Sequence, residues 1–219
     1  TPAVAAMQVK KEVINMAVPW AQQFPLAEMI KKGWLEQANT IQEKTMALLA
    51  FFGFSNHIAW EDYFLNQSLK VAFRISLAHT NDPFAISAWL RKGELHAATL
   101  DANEYATNRF RESLPLIRTL MANHPTDFFH QLQHICLLAG VKVVHTPCIN
   151  KAPINGATRW LNNTPLIQLT GRYKRNDIFW FTFFHEAGHI LLHGKKDVFL
   201  EQPSTSNPDI KKEREADDF

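Results

Sequence analysis

The chain has 219 residues, 46% of them hydrophobic and 20% charged, with 11 Pro, 8 Gly and a formal net charge of +2. This balance excludes disorder, collagen-like repeats and a coiled-coil rod, and leaves room for one large or two small domains with buried cores. Acidic and basic residues nearly cancel on both sides of Pro125, so nothing in the bulk charge nominates a nucleic-acid groove. No apolar run approaches the roughly 20 residues of a bilayer span, and the opening TPAVAAMQVKK is not a signal peptide. Cys136 and Cys148 are too few for a disulfide framework. A reduced, cytoplasmic setting is expected, with each thiol a small apolar filler.

Residues 1–124 read as helical throughout and are expected to form one helical domain. Gly33 and Gly53 act as stops, Thr40 and Glu43 have capping-box spacing, and Asn81-Asp82-Pro83 opens another helix. Trp20, Trp34, Trp60 and Trp89 fall in this half and are expected to pack its core. After Pro125 the grammar changes. Thr126 is expected to cap a helix over 126–139 that Gly140 ends, and 141–145 alternates as a strand. Residues 157–161 and 166–170 read as strands joined by Asn162-Asn163-Thr164-Pro165. Asn176-Asp177 caps a helix over 178–193 closed by Gly194; five aromatics within 178–184 predict a helix buried on all sides. A polar loop, 202–208, leads through Asn207-Pro208 into a last helix holding Glu213 and Asp217. The run EREADDF ends without a cap, so the chain is expected to be a fragment. The expected class is α+β, with a helical domain over 1–124 followed by a domain over 125–219 that has a small antiparallel sheet.

His185-Glu186-Ala187-Gly188-His189 is an HExxH sequence placed on that buried helix. Residues four apart stand one above the other on a helix, so two imidazoles there can reach one ion at the roughly 2.0–2.1 Å that zinc requires. Glu186, rotated about 100° from His185, has the position of a general base acting on water held at the metal. A hydrolytic zinc site takes three protein ligands and one open position. The metzincin third histidine is replaced by Lys195. His193 stands about 12 Å along the axis from His185, so it is expected to support the site or pack. Glu213 is the preferred third ligand, with Glu215 and Glu201 as fallbacks. Asp217, one turn past Glu213, is placed to accept the remaining N–H of His185. Manganese or iron suits the same ligands. Gly188 inside the helix marks a close backbone approach, for which a strand is the expected neighbour, and an exposed edge of the hairpin would let an extended peptide substrate add as a further strand. Arg159 and Tyr173 flank the hairpin as candidate donors to a substrate carbonyl or oxyanion.

The run from GATRWLNNTPLIQLTGRYKRNDIFWFTFFHEAGHILLHGKKDVF to EREADDF resembles the ImmA/IrrE family of metallopeptidases over about residues 126–219. The resemblance implies a zincin-like domain with zinc on His185, His189 and Glu213, and with Glu186 as catalytic base. It also implies a bacterial regulator whose peptidase domain is similar to those that cleave repressor or antitoxin proteins in stress or toxin–antitoxin control. The helical half looks like the middle of longer proteins that begin with a HigA-like, XRE-type helix-turn-helix. The expected partners are therefore a protein or peptide substrate of repressor or antitoxin type, DNA only through an upstream domain, and a second copy in a homodimer, with no membrane. The alternative is a DNA-linked transcriptional regulator or antitoxin whose zincin-like half senses metal or a partner without cutting.

Overall fold

Short polar caps and left-handed glycines cut the chain into helices close to where the sequence places them. The computed structural model describes residues 2–67, 82–171, 175–194, 199–201 and 210–218; of 2–7, 9, 65–67, 199–201 and 210–213 it describes the backbone alone. The chain packs as two compact units, Thr1–Arg91 with Ile149–Ala152, and Lys92–Cys148 with Pro153–Phe219. The chain first crosses between these units at 91/92.

The first unit contains α1 (Pro2–Ala21), α2 (Leu26–Lys31), α3 (Ile41–Phe52) and α4 (His57–Glu61), which passes into a π-helical turn, Asp62–Gln67. At α3 the capping box forms as read. Glu43 N–H donates to Thr40 Oγ1 at 3.2 Å, Thr40 N–H donates to Glu43 Oε2 at 3.0 Å, and Gly53 ends the helix at φ 77°. At α5 (Pro83–Ala97) Asp82 Oδ1 accepts from Phe84 N–H at 2.9 Å with Pro83 in the first helical position. Trp20, Trp34, Trp60 and Trp89 are all buried. Trp20, Phe24, Phe52, Trp60, Phe64 and Phe84 form one aromatic cluster, within which Trp60 and Phe84 stack at 5.2 Å and 10°. The loop Ile149–Ala152 is held to this unit by Asn150 N–H donating to Glu28 Oε2 at 3.0 Å and by a Lys151–Asp82 ion pair at 3.4 Å.

The second unit adds α6 (Thr107–Asn123), α7 (Phe128–Leu138), β1 (Lys142–His145), β2 (Gly156–Leu161), β3 (Thr164–Leu169), α8 (Asn176–His193), β4 (Phe199–Glu201) and α9 (Ile210–Asp217). Asp127, not Thr126, precedes α7, and Arg175 precedes α8, whose first turn contains Asn176 and Asp177. The β2–β3 hairpin is tighter than expected: Leu161 pairs with Thr164 across Asn162-Asn163, and Asn162 takes φ 58°, which asparagine tolerates better than most residues. The sheet order is β1-β3-β2-β4. It is mixed, not antiparallel, because β1 runs parallel to β3 in the register Val143↔Ile167. The chain leaves β1 through Ile149–Ala152 before forming the hairpin, a connection long enough to bring β3 alongside β1 in the same direction.

One sheet face (Val143, Ile167, Leu169) shares a core with Phe110, Leu114 and Ile117 of α6, Leu132 and Cys136 of α7, and Trp180, Phe183, Ala187 and Ile190 of α8. On the other, Val144 and Leu166 meet Ala97 of α5. Helix α6, assigned by sequence to the helical half, therefore supports α8. Among the described residues no helix is long and apolar enough to cross a membrane.

Candidate functional site

Helix α8 carries the HExxH residues with its aromatic first half buried only in part. Trp180 and Phe183 are buried in the core, but Phe181 is 52% exposed and Leu192 is exposed too, so the expectation of a helix covered on all sides is not met. That open side begins beside the histidines: the Phe181 ring lies 6.0 Å from the His185 ring, inclined 30° to it. Phe181 also lines a groove between α6 and α8 with Arg118, Met121, Trp180 and Phe184. The Arg118 guanidinium stands 5.7 Å over the Phe184 ring.

His185, Glu186 and His189 are 4%, 0% and 1% exposed. Burial of three such groups in one turn requires partners, and for the imidazoles these are arranged in a row. Asp217 of α9 accepts a hydrogen bond from His185 Nδ1 at 2.9 Å. His185 Nε2 and His189 Nε2 face each other at 2.9 Å. His189 Nδ1 meets His193 Nδ1 at 3.0 Å, and His193 Nε2 donates to Glu215 Oε2 of α9 at 3.2 Å. A carboxylate can only accept, so each end of the row fixes a proton. His185 holds its proton on Nδ1, and His193 holds its own on Nε2. In a neutral His193 the Nδ1 then accepts from His189 Nδ1–H. With all three rings neutral, both inner Nε2 lone pairs point at the same space. Two lone pairs at that distance repel unless a positive charge lies between them.

A shared proton or a metal ion would each answer that requirement. Two ligands of a tetrahedral zinc at 2.0–2.1 Å stand about 3.3 Å apart, a few tenths of an ångström more than this pair, which a small rotation of either ring provides. The remaining N–H of His185 is given to a carboxylate, the usual outer support of a zinc-binding histidine. The donor set fits zinc at two of three positions. Among the described residues no third His, Cys, Asp or Glu completes a group. Glu213 lies on α9 one turn before Asp217, and its side chain is outside those described. Glu201 lies in β4 with its side chain likewise outside them, and Tyr173 and Lys195 fall outside the described residues altogether. Glu215, a fallback ligand by sequence, binds His193 instead.

Glu186 packs against the start of β2. A Cβ on Gly156 would stand 2.8 Å from Glu186 Oε1 and 2.5 Å from Thr182 Cγ2, so only glycine at 156 leaves room for the carboxylate there. Thr158, two residues along β2 on the same face, donates from Oγ1 to the Glu186 carbonyl at 3.1 Å. Beside the approach expected at Gly188, the structure displays one on the strand side, at Gly156. A glycine opening a strand beside an HExxH helix was the signal that could have found it.

Arg159 points the other way. It is 5% exposed on the opposite face of β2, where Nη2 donates to Gln168 Oε1 at 3.0 Å and Nη1 lies 3.7 Å from Glu94 Oε1. The alternation of side chains along a strand puts Gly156 and Thr158 toward α8 and Arg159 away from it. The structure therefore does not bring Arg159 to the histidine pair. Nor is the β2 edge open along its length, because Gly156, Ala157 and Thr158 pair with Glu201, Leu200 and Phe199 of β4. No family model matches the chain, and no curated protein or solved structure matches it.

Proposed function

We propose that the chain is a zinc-dependent endopeptidase acting on a regulatory protein of repressor or antitoxin type, the activity implied by its resemblance to the ImmA/IrrE family. The observation that carries this reading is the convergence of His185 Nε2 and His189 Nε2 on one space, with Glu186 buried on the intervening turn. His185, His189 and Glu213 would hold the metal. Bound there, zinc supplies a Lewis acid that polarises a peptide carbonyl and lowers the pKa of water toward neutrality. Glu186 accepts the proton of the attacking water and returns it to the departing amine. Asp217 keeps the His185 proton on Nδ1, so that Nε2 is available. An extended substrate segment would add outside β4, since β4 occupies the start of the β2 edge. DNA would be reached only through a domain upstream of this chain, and the site of action is the cytoplasm.

Glu186→Gln tests the assignment. The variant should bind one zinc per chain and keep its circular dichroism spectrum, while cleavage of a repressor or antitoxin substrate falls by at least about 10²-fold. Cleavage at the wild-type rate removes Glu186 as the base. Wild-type protein that binds zinc but cuts no such substrate supports instead a regulator whose zincin-like half senses the metal.

A further inference from the structure

Three imidazoles and two carboxylates form one continuous row, and only its inner pair faces the proposed metal position. The outer arm, His193 with Glu215, is not used by the reaction. His193 stands one turn past His189 on the same face of α8, so its ring reaches His189 Nδ1. Glu215 comes from α9, the helix that also carries Asp217 and Glu213. The side chain of Glu215 is nearly half exposed, and it reaches in to take the Nε2 proton of His193, whose side chain is only 4% exposed.

We infer that the His193–Glu215 pair is a positioning device: it holds the His189 proton on Nδ1, which leaves the Nε2 lone pair of His189 free for the metal. This inference rests on the zinc reading above. The logic applies to a row of neutral rings, the state in which two Nε2 lone pairs could bind a metal. Glu215 can only accept, so His193 carries its proton on Nε2 and offers Nδ1 as an acceptor. That acceptor takes its proton from His189 Nδ1, the ring orientation in which Nε2 faces His185. Asp217 does the same for His185 in a single step. The two metal histidines are thus set by unlike devices, one a direct carboxylate and the other a carboxylate acting through a third imidazole. Both carboxylates lie within three residues on α9, so the docking of α9 sets both tautomers along with the register of Glu213.

The test measures zinc affinity of the full chain by competition with a chromophoric chelator, together with the imidazole N–H resonances of the zinc-loaded protein. Glu215→Leu and His193→Phe should each weaken zinc about 10- to 100-fold. The His189 Nδ1–H resonance should shift or exchange away in both variants, while that of His185, held by Asp217, stays in place. Glu215→Gln retains an oxygen acceptor and should recover most of the loss. A merely structural role would move neither resonance selectively. Should His193→Phe fail to fold, Glu215→Leu decides alone, since its leucine replaces a half-exposed side chain. Zinc bound within twofold of wild type by Glu215→Leu, or an undisturbed His189 resonance, overturns the inference. Wild-type protein that takes up no zinc overturns the parent reading as well.

Discussion

At Gly156 a single methyl group decides whether β2 and α8 can approach. Its Cβ would overlap Thr182 Cγ2 and press on Glu186 Oε1, both held in a buried helix face. Gly156→Ala is therefore expected to destabilise the protein by about 1–3 kcal/mol in denaturant unfolding. It should also lower proteolytic turnover about tenfold or more through displacement of the base, with zinc uptake unchanged. Turnover unaffected by the methyl group would separate Glu186 from the chemistry. The two thiols make a simpler case. Cys136 is wholly buried in the core, where desolvation pushes its thiol pKa up, whereas Cys148 is partly exposed, and the two are not bonded to one another. A thiol reagent at about pH 8 should label one cysteine in the native protein and both after unfolding. At this scale the sequence was legible wherever a rule is local: the i, i+4 spacing of His185 and His189 follows from helix geometry, and the chemistry of a carboxylate beside a buried imidazole suggested Asp217 as the partner of His185. The fate of Arg159 was not legible, because which face of β2 looks toward α8 depends on partners far along the chain.

Helices begin and end by short-range chemistry, which is why α3 runs between its predicted cap and glycine stop and α5 begins at Pro83 as read. Hydrogen bonds from the Thr40 and Asn39 backbone N–H groups hold the Glu43 carboxyl below its usual value of 4.5. A lowered folded-state pKa adds stability that is present above the ordinary value and lost as pH falls through the lowered one. Glu43→Gln should accordingly flatten the acid limb of the stability profile between about pH 5 and pH 3, measured by thermal melts across that range. Glycine inside a helix is a different signal. Gly93 in α5 faces Gln168 of β3, and a Cβ there would stand 2.1 Å from Gln168 Cδ. Gln168 is buried and tied to Arg159 and to Thr146, so it has little freedom to give way. Gly93→Ala should then cost about 1–3 kcal/mol, against the roughly 1 kcal/mol that alanine contributes as a better helix former. A more stable Gly93→Ala protein would show that α5 and β3 are not in close contact. The parallel pairing of β1 with β3 escaped the sequence for a physical reason: β1 is four residues long, and both directions bury Val143 and Val144 equally well. The exposure of Phe181 escaped it too, because five aromatics in seven residues look the same whether a groove runs beside them or not.

For the whole molecule, the proposed metal lies in one of the two compact units, the one built from Lys92–Cys148 and Pro153–Phe219. A ligand that binds only the folded form stabilises it by about 2.7 kcal/mol at a hundredfold excess over its dissociation constant. Calorimetry is expected to show zinc raising the transition of this unit by several degrees, with the chelator reversing it, and a transition indifferent to zinc would leave the two histidines as packing. The boundary between units is where the sequence was least informative. Pro125 is a clear change of grammar, yet α6 contributes Phe110, Leu114 and Ile117 to the core beneath α8. Local helical patterning says nothing about which core a helix serves.

The loop Ile149–Ala152 has a consequence for how this protein can be divided. The backbone passes from one unit to the other at 91/92, again at 148/149 and once more at 152/153. A single nick in any one of these places leaves the halves tethered by the remaining crossings. Gene truncation at residue 92 would strip four residues of their home without removing them from the chain. The portion bearing the histidines is therefore not a cassette that recombination could lift out and graft elsewhere intact; it travels with its helical companion, or with a rebuilt connection between β1 and β2.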